Sequence, residues 1–326
     1  MRKLSLTILT MLAMAGASSA LADPIGYAIN SRGNFEDDTQ VFALWRIDLA
    51  TGAETYVGWT GAGINYTDIE GLALDSDGNL FGADDDTNSL LRISRSTGAP
   101  TPVGGSAGNM GLAEGQMMDF GMTFDCEDRL WVSSEVEQTL YEADPKTGLL
   151  SVAGSEGALD APVTGIAARG DQMFGIGQGS YRESSGGPDL RDAPYLFSID
   201  PESGTADKIG PLGDSEVGLY HNAGLAFDED GQLWAIVDRR DLNGQDLPSL
   251  VLRIDPETGQ AEVVSETIVG IESLTIAPPG GCNAASENGD EPAEDEPPFV
   301  IPTLNPAGLA FLVLMLAGLA MWRIRA

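Results

Sequence analysis

Acidic side chains stand a few residues before several copies of a short Gly-apolar-apolar pattern in this sequence. The positions are Asp68, Glu70, Asp119 and Glu272, and the histidine His221 occupies a similar place. Carboxylate oxygens are the ligands that Ca²⁺ prefers, and a ring of them would bind one ion. We therefore treat the four acids as candidate Ca²⁺ ligands. The alternative is that they are solvated acids that cap strand ends.

His221 is the only histidine of the chain, so a Ser-His-Asp or Cys-His arrangement would have to use it. Acid–base catalysis also needs a positioned partner of matched pKa, and the sequence does not identify one for His221. We expect a hydrogen-bonded histidine at a strand end. These residues therefore favour a binding protein over an enzyme.

Four aromatic residues fall in long segments between the recurring patterns. They are Trp59, Tyr66, Tyr181 and Tyr220. Aromatic rings in loops stack on sugars or anchor protein partners, so we treat these four as candidate ligand-binding residues. The alternative is that their rings pack the loops onto the domain.

The elements that must position these residues repeat along the chain at intervals of about fifty residues. One apolar strand pattern leads each time into a turn that ends in Gly, and its copies are Leu44–Asp48, Leu90–Ser94, Leu140–Asp144, Leu196–Asp200 and Val251–Asp255. The Gly-apolar-apolar pattern precedes it, and two further short strands complete each unit. Four short strands per unit predict the blade of a β-propeller.

The ends of the repeating region predict the number of blades. Gly26–Ile29 matches the second strand of a blade, and Ile271–Ala277 matches the first. The two ends would therefore complete one blade together, which leaves no open sheet edge. We predict an all-β fold, a five-bladed propeller closed by both ends; six blades remain an alternative if one has diverged.

Loop lengths separate the two faces of the predicted propeller. The Asp-rich turns that end in Gly are tight and share one face, whereas the long loops share the other, the long-loop face, where recognition usually occurs. The candidate acids lie at the mouth of the channel on that face. They resemble the channel-metal site of the calcium-dependent lactonase-like propellers. The resemblance implies an alternative function, a Ca²⁺-dependent lactonase or esterase that polarises an ester carbonyl.

The two ends of the chain predict export. Residues 1–22 have the charged start, apolar run and small-residue end of a secretory signal peptide. The uncharged run 306–322 meets the lower limit of about 17 residues for a transmembrane helix. Arg323 and Arg325 follow it, which favours a cytoplasmic C-terminus and a propeller, residues 23–282, outside the cytoplasm. Residues 283–298 are acidic and Pro-rich, as in an extended linker.

The tetrapeptide Ile301-Pro302-Thr303-Leu304 begins the C-terminal segment 299–326. With the apolar run and terminal arginines it resembles the IPTL-type sorting signals of Gram-negative bacteria, which are relatives of the signals that exosortases recognise. The resemblance implies an exosortase-like sorting protease as a partner. It also implies anchoring in the membrane, or release to the cell surface or matrix after processing.

Composition limits the partners further. The chain has 50 acidic and 17 basic residues, a formal net charge of −33, which disfavours nucleic acid as a ligand. Cys126 and Cys282 are the only cysteines, and an exported compartment permits either a disulfide between them or two thiols. We therefore predict a surface propeller that binds an extracellular polysaccharide or protein through its long-loop face.

Overall fold

A computed structural model describes most of the repeating region. The described residues are 24–33, 40–61, 66–112, 118–177, 183–184, 187–188, 194–213, 220–241 and 244–277. All belong to the first of the two units into which the chain divides, Met1–Ala285 and Ser286–Ala326. The predicted signal peptide, linker, sorting signal and transmembrane helix lie outside them. Within the described ranges, no helix has the length and apolar character to cross a membrane.

Five four-stranded antiparallel sheets, the blades, account for most of these residues. Blade 1 contains β22 (Thr275–Ala277), β1 (Ile25–Asn30), β2 (Ala43–Asp48) and β3 (Glu54–Trp59). Blade 2 contains β4 (Ile69–Leu74), β5 (Leu80–Asp84), β6 (Ser89–Ile93) and β7 (Pro100–Pro102). Blade 3 contains β8 (Phe120–Phe124), β9 (Leu130–Ser134), β10 (Thr139–Ala143) and β11 (Leu150–Val152).

The last two blades have longer strands. Blade 4 contains β12 (Val163–Arg169), β13 (Gln172–Gly177), β16 (Tyr195–Asp200) and β17 (Thr205–Pro211). Blade 5 contains β18 (Tyr220–Phe227), β19 (Leu233–Arg240), β20 (Asp246–Ile254) and β21 (Ala261–Val269). A two-stranded sheet, β14 (Glu183–Ser184) and β15 (Gly187–Pro188), lies between β13 and β16.

The first strands of the blades, β4, β8, β12, β18 and β22, are neighbours in a closed ring. β22 pairs with β1 in the register Ile25↔Ala277 to Tyr27↔Thr275, so the two ends of the repeating region complete one blade. The prediction of five blades closed in this way is confirmed. The strands that line the axis pack against neighbours on both faces, and β4 is accordingly buried along its whole length.

The tight turns after the third strands of the blades share one backbone hydrogen bond. Asp48 Oδ1 accepts hydrogen bonds from the backbone N–H groups of Ala50 and Thr51, and Gly52 donates its N–H to the Asp48 carbonyl. Gly52 has a φ of +75°, which an L-residue adopts only at a cost. The glycines at equivalent positions make the same backbone bond, and they are Gly98, Gly148, Gly204 and Gly259. The recurrent glycine of the sequence therefore closes this turn.

Neighbouring blades meet where an outer strand crosses the tight turn of the next blade. A Cβ atom at Gly58, in β3, would overlap the carbonyl oxygen of Thr97 in the turn of blade 2. Gly210, in β17, lies against Thr258 of blade 5 in the same way. Glycine is needed at these positions because two backbones approach each other directly.

The channel has different chemistry at its two ends. At the tight-turn end, apolar residues of all five first strands surround a cavity of about 30 Å³, and they include Leu72, Met122, Ala167, Leu225 and Ile276. This volume is close to that of one water molecule. The carboxylates discussed below lie at its other end, the mouth, where the first strands begin.

A carboxylate cluster at the channel mouth

Three carboxylates converge at the mouth on the side of blade 2. Asp68, Glu70 and Asp85 each offer an oxygen atom, and these oxygens lie within 4.8 Å of one another. Calcium–oxygen distances of about 2.4 Å place ligands on opposite sides of an ion about 4.8 Å apart. One Ca²⁺ ion is thus within reach of all three. Glu70 is 5% exposed and Asp85 is 1% exposed, so both carboxylates are removed from solvent.

A β-bulge turns Glu70 toward the channel. The pairing of β4 with β5 runs from Ile69↔Asp84 directly to Gly71↔Ala83 and leaves Glu70 without a partner residue. Bulges often re-aim a side chain next to a binding site. Asp85 follows β5 at once, and its backbone N–H donates to the Asp68 carbonyl at 3.0 Å. The bulge and the turn after β5 therefore bring the carboxylates together.

The cluster also joins blade 2 to blade 3. Glu70 Oε2 accepts a hydrogen bond from the Phe120 N–H at 2.9 Å, and Asp85 Oδ2 accepts one from the Met118 N–H at 3.1 Å. The other oxygen of Asp85, Oδ1, is buried and accepts no hydrogen bond from an N–H or hydroxyl group of the described residues. The carboxyl groups of Asp85 and Asp68 share a hydrogen bond, which needs a proton on one of them, and a cation could take the place of that proton.

A second buried acid shows the opposite arrangement. Asp228 Oδ1 accepts from the N–H groups of Asp230 and Gln232, and its Oδ2 accepts from Trp234 Nε1 at 2.7 Å. Asp228 therefore uses both oxygens to hold its own turn and a core tryptophan. Asp85 has one backbone donor, Met118, and its other close polar partner is the carboxyl group of Asp68, so the chain gives it an acid where Asp228 has donors.

Blade 3 adds two acids to the cluster. Asp119 has a φ of +45°, a strained conformation for a residue other than glycine, and such strain is concentrated at functional sites. Its carboxyl group shares a hydrogen bond with that of Glu70 and another with that of Glu135. Together, Asp68, Glu70, Asp85, Asp119 and Glu135 form what we call the carboxylate cluster.

The pKa values of the cluster are raised. Burial, together with neighbouring carboxylates, raises the pKa of Asp68 to about 7 and that of Asp85 to about 8. Burial, with the Asp119 carboxylate, also raises the pKa of Glu135 to about 8 and that of Glu70 well above its usual range. Desolvation and like charges both oppose ionisation, and a bound divalent cation would reverse both effects.

Glu272 lies at the same mouth but has another partner. Its Oε1 is 3.0 Å from Arg32 Nη2, and the same nitrogen pairs with Asp238 Oδ2. Asp246 Oδ1 lies 3.5 Å from Arg32 Nε and 3.3 Å from Arg240 Nε. We call these five residues the Arg32 network. Of the four predicted ligands, the structure thus brings together Asp68, Glu70 and Asp119, and Glu272 binds a guanidinium instead.

Sequence reasoning missed Asp85 and Glu135. Asp85 directly follows β5 and Glu135 directly follows β9, the second strands of blades 2 and 3. Their equivalent positions in two successive repeats could have identified them, because the turns after second strands lie on the long-loop face, beside the starts of the first strands. The prediction considered the starts of the first strands alone.

Two of the four predicted aromatic residues belong to the core. Tyr66 is 1% exposed, and Tyr220 is 2% exposed and donates its hydroxyl to the Gly177 carbonyl. Neither ring is open to a ligand, so the alternative of loop packing describes them better. Trp59 is half-buried at the end of β3, and Tyr181 lies outside the described residues. The side chain of His221 also lies outside the described part of the chain.

Two further sequence features concern serine and cysteine. Gly104–Gly108 has the spacing of a nucleophile elbow around Ser106, but Ser106 lies in an exposed bend that follows a short 3₁₀ turn, Val103–Gly105, and no α-helix begins there. Cys126 is disulfide-bonded. Cys282, the other cysteine of the sequence, lies outside the described residues, so their pairing stays a prediction.

Comparison with known proteins identifies the C-terminal segment. Residues 301–326 match the IPTL-CTERM motif, which confirms the predicted sorting signal. No curated protein matches the chain in sequence.

Solved structures with a similar fold are distant in sequence. A nidogen/laminin complex chain is 14% identical with a TM-score of 0.42, over 78% of this chain and 98% of that chain. A catalytically inactive virginiamycin B lyase from Staphylococcus aureus, crystallised with quinupristin, is 14% identical with a TM-score of 0.39, over 74% and 70%. A Bacteroides thetaiotaomicron protein of unknown function is 14% identical with a TM-score of 0.42, over 63% and 52%. We draw no functional argument from similarities this low.

Proposed function

We propose that this protein is a surface-sorted propeller that binds a Ca²⁺ ion in the carboxylate cluster and presents the loaded mouth to an extracellular polysaccharide or surface protein. The sorting motif at 301–326 supports the cellular address. The observation that carries the proposal is the convergence of Asp68, Glu70 and Asp85 within 4.8 Å, where no cation of the described residues opposes the raised pKa values of these acids.

The chemistry of the cluster favours Ca²⁺ over other metals. All the donors are oxygens, and the described part of the cluster contains neither the thiolate nor the imidazole ligands that zinc and copper prefer. Five acids drawn from two blades and their turns form a flexible, oxygen-rich set, which suits the larger ion better than the strict octahedron of Mg²⁺. Glu70 and Asp85 would hold the ion while their other contacts tie it to blade 3.

The other half of the mouth supports the same proposal. There, burial raises the pKa of Asp238 to about 6 and that of Glu272 to about 7, and the Arg32 guanidinium acts on both in the opposite direction. No cation of the described residues opposes the shifts in the carboxylate cluster, which arise from burial and from neighbouring acids. Two acidic halves of one mouth thus differ in whether the chain supplies the counter-charge, and the half that lacks it is suited to an external cation.

Isothermal titration of the full-length chain in detergent with Ca²⁺, after treatment with EGTA, tests the proposal. We expect saturable binding and a higher melting temperature with Ca²⁺. Asp85→Asn, which keeps the shape but removes the charge, should weaken binding at least tenfold. Glu127→Gln, at an exposed carboxylate of a tight turn, is the matched control and should bind as the unmodified chain does. Absence of both heat and thermal shift with the unmodified chain would rule out the cation.

The same variants separate binding from catalysis. A second candidate function is Ca²⁺-dependent hydrolysis of an ester or lactone, which the hydrogen-bonded Asp119–Glu135 pair beside the proposed ion favours, because a bound cation would lower the raised pKa of Glu135 and leave a carboxylate that could accept a proton from water. Ester hydrolysis that requires Ca²⁺ and disappears in Asp85→Asn would support it. Ca²⁺-dependent retention of the protein on the cell surface or matrix without hydrolysis would support the binding function.

A further inference from the structure

We propose that a groove in blade 2, beside its two tight turns, binds the carboxylate or sulfate group of a sugar unit. This groove, which we call the blade 2 groove, has a volume of about 310 Å³, and its polar lining comes from Arg92, Arg95, Asn79, Ser94 and Thr101. It lies at the tight-turn end of the blade, whereas the carboxylate cluster lies at the mouth. Binding there would be independent of a Ca²⁺ ion and adds a second site to the proposed function.

Both arginines of the groove are held by neutral groups. Arg95 Nη1 donates to the Gly78 carbonyl at 3.1 Å, Nη2 donates to the Tyr27 hydroxyl at 3.4 Å, and its guanidinium lies 5.0 Å from the centre of the Tyr27 ring. The Arg92 guanidinium lies 5.0 Å from the centre of the Phe81 ring. Neither forms an ion pair with an acid in the part of the chain that the structure describes. Two positioned guanidinium groups without a counter-charge suit an oxyanion, which accepts their paired N–H donors.

Blade 5 has an equivalent groove that supplies its own counter-charge. This groove, of about 340 Å³, contains Arg253 at the position of Arg92, and Arg253 forms an ion pair with Glu262. Glu262 lies opposite Arg253 on the neighbouring strand, whereas Thr101 lies opposite Arg92 in blade 2. Blade 5 also has a proline where blade 2 has Arg95. The same place in the repeat is therefore neutralised in one blade and left cationic in the other.

The surroundings of the blade 2 groove limit the size of an anionic partner. The chain has a formal net charge of −33, and exposed acids lie beside the groove. Asp77 is in a tight turn of the same blade, and Asp128, in a turn of blade 3, accepts hydrogen bonds from Ser76. A flat anionic membrane or a long polyanion would meet these acids and be repelled. A single anionic group that enters the groove avoids them.

The remaining polar lining suits a sugar. A volume of about 310 Å³ is at the lower end of the roughly 300–1,000 Å³ of ligand pockets, so the ligand is small. The amide of Asn79 and the hydroxyls of Ser94 and Thr101 can exchange hydrogen bonds with sugar hydroxyls. A uronic acid or a sulfated hexose carries both the anionic group and these hydroxyls, whereas an acidic peptide supplies the charge alone.

Binding of small sugars to the full-length chain in detergent tests the proposal. Saturation-transfer NMR and isothermal titration would use glucuronic acid, glucose 6-sulfate, glucose and inorganic sulfate, in EGTA so that no Ca²⁺ ion at the mouth attracts the anion. We expect the two charged sugars to bind at least tenfold more tightly than glucose or inorganic sulfate. Arg95→Gln should weaken that binding at least tenfold, and so should Thr101→Glu, which gives Arg92 the acid that Arg253 has in blade 5. Arg253→Gln is the matched control and should bind as the unmodified chain does.

The other outcomes contradict the proposal and leave the Ca²⁺ site untouched. They are no binding of either charged sugar, equal binding of glucose or of inorganic sulfate, and an equal loss in Arg253→Gln. Tighter binding of a tetraglutamate peptide than of either sugar would assign the groove to an acidic protein segment instead. Thr101→Glu retains both arginines at an exposed position, so unchanged binding in that folded variant would also contradict the argument from charge.

Discussion

At the scale of residues, three buried aspartates have three different environments in this propeller. Asp228 satisfies both oxygens with backbone and indole donors and stabilises a turn. Asp238 is paired with Arg32. Asp85 has one backbone donor and shares a hydrogen bond with the carboxyl group of Asp68, beside Glu70. The role of each acid thus depends on the donors and cations around it, and the third kind supports the proposed metal site.

The raised pKa values predict an unusual pH dependence of stability. The folded chain holds protons on Asp68 up to about pH 7, and on Asp85 and Glu135 up to about pH 8, which the unfolded chain has lost from about pH 4 to 5 upward. Because the folded state binds more protons across this window, its stability falls as pH rises from about 4 to about 8.

Melting temperatures between pH 5 and 8.5 would check this. In EGTA we expect the melting temperature to decrease toward alkaline pH, and with saturating Ca²⁺ we expect a much weaker decrease, since the ion stabilises the ionised acids. A melting temperature that rises with pH in EGTA would contradict the raised pKa values of the carboxylate cluster. Asp85→Asn removes one of the titrating groups and should reduce the slope.

At the scale of elements, the blades are joined by close backbone contacts on the outside and by carboxylates at the mouth. Gly58 and Gly210 allow an outer strand to touch the turn of the next blade. Glu70 and Asp85 accept backbone N–H groups from the beginning of blade 3. A cation at the mouth would therefore strengthen the contact between blades 2 and 3 in particular.

Gly58→Ala tests the outer contact. The added methyl group would overlap the Thr97 carbonyl, and overpacking of this kind costs about 1–3 kcal/mol in free energy of unfolding. Urea unfolding would measure the loss. Gly170→Asn is a suitable control, because Gly170 has open space around a missing Cβ and a φ of +60° that Asn tolerates. An unchanged stability in Gly58→Ala would show that the blades do not meet there in solution.

At the scale of the whole molecule, a closed ring and a sorting signal serve separate purposes. The propeller closes by pairing β22 with β1, so both ends of the repeating region are held in one blade. The IPTL-CTERM motif begins at residue 301, beyond the described residues and in the second unit of the chain. Folding and delivery should therefore respond to different substitutions.

Replacement of Ile301-Pro302-Thr303-Leu304 by alanines should abolish delivery to the cell surface without changing the melting temperature of the propeller. Cell fractionation and mass spectrometry of the mature termini would measure this. We expect an N-terminus at Asp23 in both proteins, and loss of C-terminal processing in the variant alone. Equal surface delivery of the variant would mean that the motif is not what a sorting protease reads in this chain.

The amino-acid sequence by itself determined the fold and the sorting motif of this protein. Strand patterns, turn glycines and the sorting tetrapeptide can each be recognised in a short stretch of sequence. Because the pattern recurs about every fifty residues, the strands identified in one blade predict those of the other blades. The matching half-blades at Gly26–Ile29 and Ile271–Ala277 were sufficient to predict closure.

Only the tertiary structure decided which acids meet. Glu70 reaches the cluster through a bulge in β4, and Asp85 joins it from the end of β5. Their contact therefore depends on the pairing register of β4 and β5, which the local sequence pattern does not reveal. Glu272 and Arg32 are far apart in sequence, yet closure of the ring makes them neighbours and removes Glu272 from the metal ligands. The charge balance at the mouth is thus a property of the closed ring, because closure decides which basic side chain lies next to each acid.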